Sequence, residues 1–248
     1  VEHYLLLVLA GLLAGTMNAV AGGGSFVSFP VMVLVGLPPI AANATSTVAL
    51  FPGTVASTWA YREDLAGIAG IGLRVLLPIG LVGGLIGAIL LLVTPGAAFD
   101  LVIPWLLLLA TLTFVGGRHL GDWLRRYVRI GRPAFLVIQF ILSIYGGYFG
   151  GAIGLMMMAV WTLIDGSELK AMAPTRTALV SAANGAAVLC FAVAGTVWWP
   201  EMLAMMVSAI AGGYYGARFA RHLPPAVLRW FVVALSATVT IAFFRRRY

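Results

Sequence analysis

From Val75 to Val93, and again from Leu101 to Val115, the chain runs without one charged residue. Runs of this kind restrict the fold more than any short motif, because roughly 20 apolar residues are what a helix needs to cross ~30 Å of hydrocarbon. The remaining sequence agrees: 62% of residues are hydrophobic and 9% charged, against about 25% charged in a soluble domain. Lipid offers the backbone no hydrogen bonds, so a spanning protein is built of helices or a closed barrel. A barrel shows short segments of alternating polarity, and these runs are continuous. The reading is an all-α integral membrane protein. Apolar segments fall at 4–36, 40–60, 70–93 and 99–116, and after a basic stretch at 133–163, 173–195, 200–217 and 227–244.

The chain also repeats itself. Gly15-Thr16-Met17-Asn18-Ala19-Val20-Ala21-Gly22 is answered by Gly147-Tyr148-Phe149-Gly150-Gly151-Ala152-Ile153-Gly154, and Gly83-Gly84-Leu85-Ile86-Gly87-Ala88 by Gly212-Gly213-Tyr214-Tyr215-Gly216-Ala217. The expected organisation is an N-terminal transmembrane repeat (1–117), a basic cytoplasmic loop (118–132) and a C-terminal transmembrane repeat (133–248). Each repeat has about four hydrophobic segments. The first segment of each, 4–36 and 133–163, is too long for one span and is broken by glycines, near Gly22-Gly23-Gly24-Ser25 and between Gly146 and Gly154. Duplicated halves with broken helices are a common build for secondary transporters, with the substrate where the breaks meet.

Positive charge orients the segments. Arg118, Arg125, Arg126, Arg129 and Arg132 mark the central loop as cytoplasmic, which places Arg62 and Arg74 inside as well. If 133–163 crosses once, the halves are parallel, with Arg218, Arg221 and Arg229 outside. If it turns back as a hairpin, the halves are inverted and those residues and Lys170 lie inside. The count favours inverted repeats. The formal charge of +7 is therefore a topology signal, and no nucleic-acid partner is expected.

The first-half residues Gly15, Asn18, Ala21-Gly22-Gly23-Gly24-Ser25 and Pro30, followed by Asn43-Ala44-Thr45-Ser46-Thr47 and a degenerate second copy, resemble the TauE/SafE family of sulfite and organosulfonate exporters. The resemblance covers nearly the whole chain. It implies a multi-pass carrier of the cell inner (cytoplasmic) membrane for small anions such as sulfite, thiosulfate, sulfoacetate or related sulfonates and carboxylates, with no cofactor.

The expected substrate-binding residues are Asn18, Gly22, Gly23, Gly24, Ser25, Asn43, Thr45, Ser46, Arg176 and Asn184. A helix broken at Gly22-Gly23-Gly24 offers backbone N–H groups and a positive dipole end to an anion, and Ser25 adds a hydroxyl; the glycines serve equally for close helix packing. Asn18, one turn earlier, holds the broken backbone or touches substrate. Asn43, Thr45 and Ser46 read as the capped start of the next helix, aimed at the same cavity. In the second half Pro174 suits a helix start, and by register Arg176 stands where Thr45 does. An arginine at membrane depth costs roughly 2.5–3.5 kcal/mol and faces a cavity or a partner, or snorkels to the headgroups. Its guanidinium matches sulfonate and carboxylate oxygens as a fork. Asn184 is two turns further along.

No carboxylate lies mid-span; Asp165 and Glu168 close the second broken segment and suit a gate. Met156-Met157-Met158 point around a helix, so one faces any cavity. Trp198-Trp199 and Trp230-Phe231 read as an interfacial belt. Gly80/Gly84/Gly87 and Gly212/Gly213/Gly216 read as close helix contacts, within the protomer or at a homodimer seam. A transition-metal transporter would need a Cys, His or carboxylate cluster, yet Cys190 is single and His3, His119 and His222 are far apart. A membrane-embedded serine enzyme would need a base beside Ser25, and no histidine lies near mid-span.

Overall fold

The computed structural model describes residues 2–20, 23–68, 70–124, 131–162, 169–220 and 225–247. Among them the regular structure is helical: α1 (Glu2–Val20), α2 (Ser25–Leu34), α3 (Pro39–Ala60), α4 (Leu73–Val93), α5 (Gly96–Leu124), α6 (Arg132–Tyr148), α7 (Ile153–Thr162), α8 (Leu169–Val193), α9 (Trp199–Ala220) and α10 (Pro225–Arg247). A 3₁₀ turn at Arg62–Asp64 and an isolated bridge between Ile68 and Ile71 lie in the α3–α4 connection. Leu73–Val93, Gly96–Thr113 and Met172–Val193 are each long and apolar enough to cross a membrane.

Both long segments break where glycines were expected to break them. The first is interrupted between Val20 and Ser25, the second between Tyr148 and Ile153. Each break reverses the chain. Gly24 lies against Ala14 and Asn18 of α1. The Tyr145 hydroxyl donates to the Gly151 carbonyl at 2.8 Å, and Ile153 packs on Gly146. Gly150 at φ 77° and Ala152 at φ 57° make the second reversal. The returning helices α2 and α7 have 10 residues each and so rise ~15 Å, about half the hydrocarbon thickness. Phe26, Phe29 and Met32 of α2 and Met157 and Trp161 of α7 are fully buried. Protein therefore surrounds the broken backbone, as lipid would require.

Each half packs mainly on the other. α1 lies on α9, and α6 on α4; α3 lies on α9, and α8 on α4; α3 crosses α8, and α5 crosses α10. Thr58 bonds Ser181 while Phe51 meets Gly185, so α3 and α8 run antiparallel. Thr111 bonds Thr240 while Trp105 stacks edge-on with Phe244, so α5 and α10 do too. α2 is covered by α10, through Phe29 stacked on Phe243 at 5.7 Å, and α7 by α5.

Small residues set the seams. A side chain at Gly84 would run into the Ala183 backbone, one at Gly147 into Gly84, one at Gly15 into Ala209 and one at Gly212 into Leu12. The close contacts expected of these glycine faces are made inside the protomer, where backbones approach as in other membrane bundles; the surroundings of Gly216 lie outside the described residues.

Three local expectations are corrected. α3 begins at Pro39, whose fixed φ suits the first helical position, and no side chain caps it. Asn43, Thr45 and Ser46 thus lie inside the helix, and their polar groups are free for other partners. α8 begins at Leu169, so Pro174 falls within the helix instead of opening it, giving up one i→i−4 bond. α5 continues to Leu124, into the stretch read as loop.

Candidate functional site

The second break, α7 and α8 bring one cation into the bundle. Arg176 is partly buried, and its alkyl stem lies across the first turn of α7. A Cβ at Gly154 would stand 3.1 Å from Arg176 Cδ and 3.4 Å from Cγ, so glycine there leaves room for the arginine. The guanidinium Nη1 donates to Met158 Sδ at 3.4 Å. A thioether is a weak acceptor. Among the described residues the ion pair is Arg62 with Glu63, at the surface, and no carboxylate oxygen lies within 4.0 Å of Arg176. Asp165 and Glu168 lie outside the described residues. The N-terminus of α7 carries roughly half a positive charge of its own. A guanidinium laid over that turn adds charge of the same sign, an arrangement that favours an anion between them.

The other expected residues are placed as follows. Asn43 is buried, and its Nδ2 donates to the Tyr148 carbonyl at 3.0 Å, closing the last residue of α6. It caps the end of a helix in the other half instead of the start of its own. Asn43→Ala leaves that carbonyl without its donor. We expect a cost of about 1–3 kcal/mol, read as a lower Tm in detergent, and Asn43→Asp, which when ionised has no donor, to behave alike.

Thr45 is fully buried, and its Oγ1 accepts the Trp198 N–H at 3.1 Å, at the start of α9. Its functional counterpart is Thr175, which accepts from the Ala66 N–H at 3.3 Å and donates to the Ala66 carbonyl at 2.6 Å, ahead of α4. Thr175, and not Arg176, therefore does in α8 what Thr45 does in α3. The register shifts by one, and Arg176 falls opposite Ser46. Ser46 Oγ bonds Ser28 Oγ of α2 at 2.6 Å, as Arg176 meets Met158 of α7.

At the first break Gly23 and Gly24 are buried, and Ser25 and Asn18 partly so; Gly22 lies outside the described residues. The Gly23 carbonyl accepts the Phe26 N–H, and the Gly24 carbonyl accepts those of Val27 and Ser28. Asn184 sits on α8 between Ala183, which packs on Gly84, and Gly185, which packs on Phe51; its Oδ1 is buried without a hydrogen-bond partner. The structure thus gathers Asn18 with Gly24, Ser46 with α2 and Asn43 with the second break. Among the described residues no hydrogen bond joins the first-break set to Arg176. Sequence reasoning missed Gly154, Ser28 and Thr175 as partners of these groups. It also missed Gln139, fully buried and accepting the Trp161 indole N–H at 2.9 Å. Gly154 belonged to the repeated glycine pattern and was the one with a readable signal. No three His, Cys, Asp or Glu residues gather to hold a metal among the described residues.

Bilayer-length helices enclosing two chain-reversing breaks make a membrane transporter fold. The sulfite exporter TauE/SafE family matches residues 7–243, and the chain belongs to that family. It is 28% identical to a probable membrane transporter protein, ORF9, of a Sinorhizobium species, over 95% of this chain and 90% of the relative. It is 27% identical to a probable membrane transporter protein of Haemophilus influenzae, over 97% and 94% of the two chains. To the probable membrane transporter protein YfcA of Escherichia coli K12 it is 24% identical, over 95% and 87%. No solved structure matches. The protein is a multi-pass membrane transporter, not an enzyme.

Proposed function

We propose that this carrier moves small sulfur-containing anions, sulfite or sulfonates such as sulfoacetate, outward across the cytoplasmic membrane. The observation that carries the reading is Arg176, laid over the N-terminal turn of a buried half-helix with a thioether for its partner. The oxygens of a pyramidal sulfite or a tetrahedral sulfonate fit a guanidinium fork and helix N–H groups together. On this reading Ser46, Asn184 and the first break at Asn18, Gly23, Gly24 and Ser25 are further substrate contacts, while Asn43 and Thr45 hold backbone at the end of α6 and ahead of α9.

The halves act as inverted repeats and give alternating access by rocking against each other. The antiparallel runs of α3 against α8 and of α5 against α10, helices of equal rank in the two halves, support this. With no carboxylate found mid-span in the sequence, an inside-negative potential drives a monovalent anion outward without a proton relay.

The test is efflux from vesicles containing the purified protein, loaded in turn with sulfite, sulfoacetate, thiosulfate, acetate and chloride, under a set membrane potential. Sulfite or sulfoacetate efflux that quickens as the inside becomes more negative is the expected result. Acetate alone would move the substrate to carboxylates. Flux indifferent to potential would remove the electrogenic mechanism.

A further inference from the structure

We infer that Met158 is a stand-in ligand for the transported anion and sets how tightly it is held. The inference rests on the anion reading of Arg176. A guanidinium inside a membrane bundle needs an acceptor, because an unpaired buried charge is costly. Here Met158 Sδ supplies one at 3.4 Å from Nη1. Both residues are partly buried. The corresponding place in the first half holds two hydroxyls, Ser28 and Ser46, at 2.6 Å. A second-half serine was chemically open to this site, and a thioether occupies it.

The choice has a consequence for binding. Neutral sulfur accepts weakly, whereas oxyanion oxygens form charge-assisted bonds to guanidinium roughly twice as strong as neutral ones. An arriving anion therefore displaces Met158 at little cost. When the anion leaves, the sulfur, carried on an unbranched and flexible side chain, takes the guanidinium back. A strong internal acceptor would compete with substrate. An aliphatic side chain would remove that acceptor and hold the anion too long for turnover.

The test is a series at position 158 in the whole protein, read by anion-dependent Tm shift with sulfite, thiosulfate and sulfoacetate as probes. Dissociation constants should rise in the order of acceptor strength: Met158→Leu below wild type, Met158→Gln above it, each by about two- to tenfold. Met158→Glu should abolish the shift while raising the anion-free Tm. Efflux by Met158→Leu should be slower at saturating anion despite the tighter binding, an outcome that a mere packing role would not give. Equal affinities across Leu, Met and Gln, with Arg176→Ala still weakening binding severely, would overturn the inference and leave the site standing. No Tm shift in wild type with any probe would overturn both.

Discussion

Arg176→Ala is expected to weaken anion binding severely and slow transport while leaving the protein folded. Hydrogen bonds to a charged group contribute about 1.5–3 kcal/mol, which corresponds to roughly a 10- to 150-fold loss of affinity. The anion-free Tm should hold or rise, because the substitution removes a cation whose hydrogen-bond acceptor among the described residues is a thioether. Arg176→Lys keeps the charge and loses the planar fork, so it should bind weakly with its preference among oxyanions blunted. The decisive measurement is the anion-dependent Tm shift of the three proteins side by side. An unchanged shift in Arg176→Ala would remove the site. A marked fall in its anion-free Tm would give Arg176 a structural partner, with Asp165 and Glu168 the first residues to substitute.

Gly84→Val should leave no folded carrier at all. Its added carbons would enter the Ala183 backbone of α8, while Gly147 of α6 presses on the same glycine from the other side. Overpacking a core costs typically 1–3 kcal/mol when side chains can shift. Here the obstacle is the main chain of Ala183, so relief means parting α4 from α8, and the close approach of Gly147 to the Gly84 carbonyl leaves α4 little room to move. The control is Gly53→Ala on α3, where a Cβ meets open space; the added helix propensity should stabilise it by about 0.5–1 kcal/mol. Detergent size-exclusion profiles and Tm of both variants check the pair. A monodisperse, wild-type-like Gly84→Val would refute the close seam.

Much of this was legible from sequence because it is written locally. Apolar runs gave the helices, and glycines marked where the backbone breaks or approaches a neighbour. The partners of polar side chains were not legible. Asn43 next to a proline pair reads as a helix cap, yet its amide serves Tyr148, 105 positions on, and Thr45 serves Trp198, 153 positions on. Nothing within a turn of either residue encodes such a bond; it exists because α3 ends up between the second break and α9. The one-residue slip that paired Arg176 with Thr45 has the same origin, since Thr175 and Arg176 sit side by side and only their contacts tell them apart. Arg176 itself stood out because a charge at membrane depth demands a reason. Met158 did not, being one of three methionines in a row.

The pairing of α1 with α9 also dictates an order of birth. Thr16 donates to the Gly212 carbonyl at 2.9 Å across 196 positions of chain. At a ribosomal pace of 5–20 residues per second, α1 waits roughly 10–40 s for that partner. During this time its row of small residues, Gly11 and Gly15 included, faces lipid or the insertion machinery with nothing to grip. The α6 seam meets no such delay, since α4 is already in place when it emerges. α6 thus docks onto a neighbour already made, and α1 is among the last of the described helices to reach its native position.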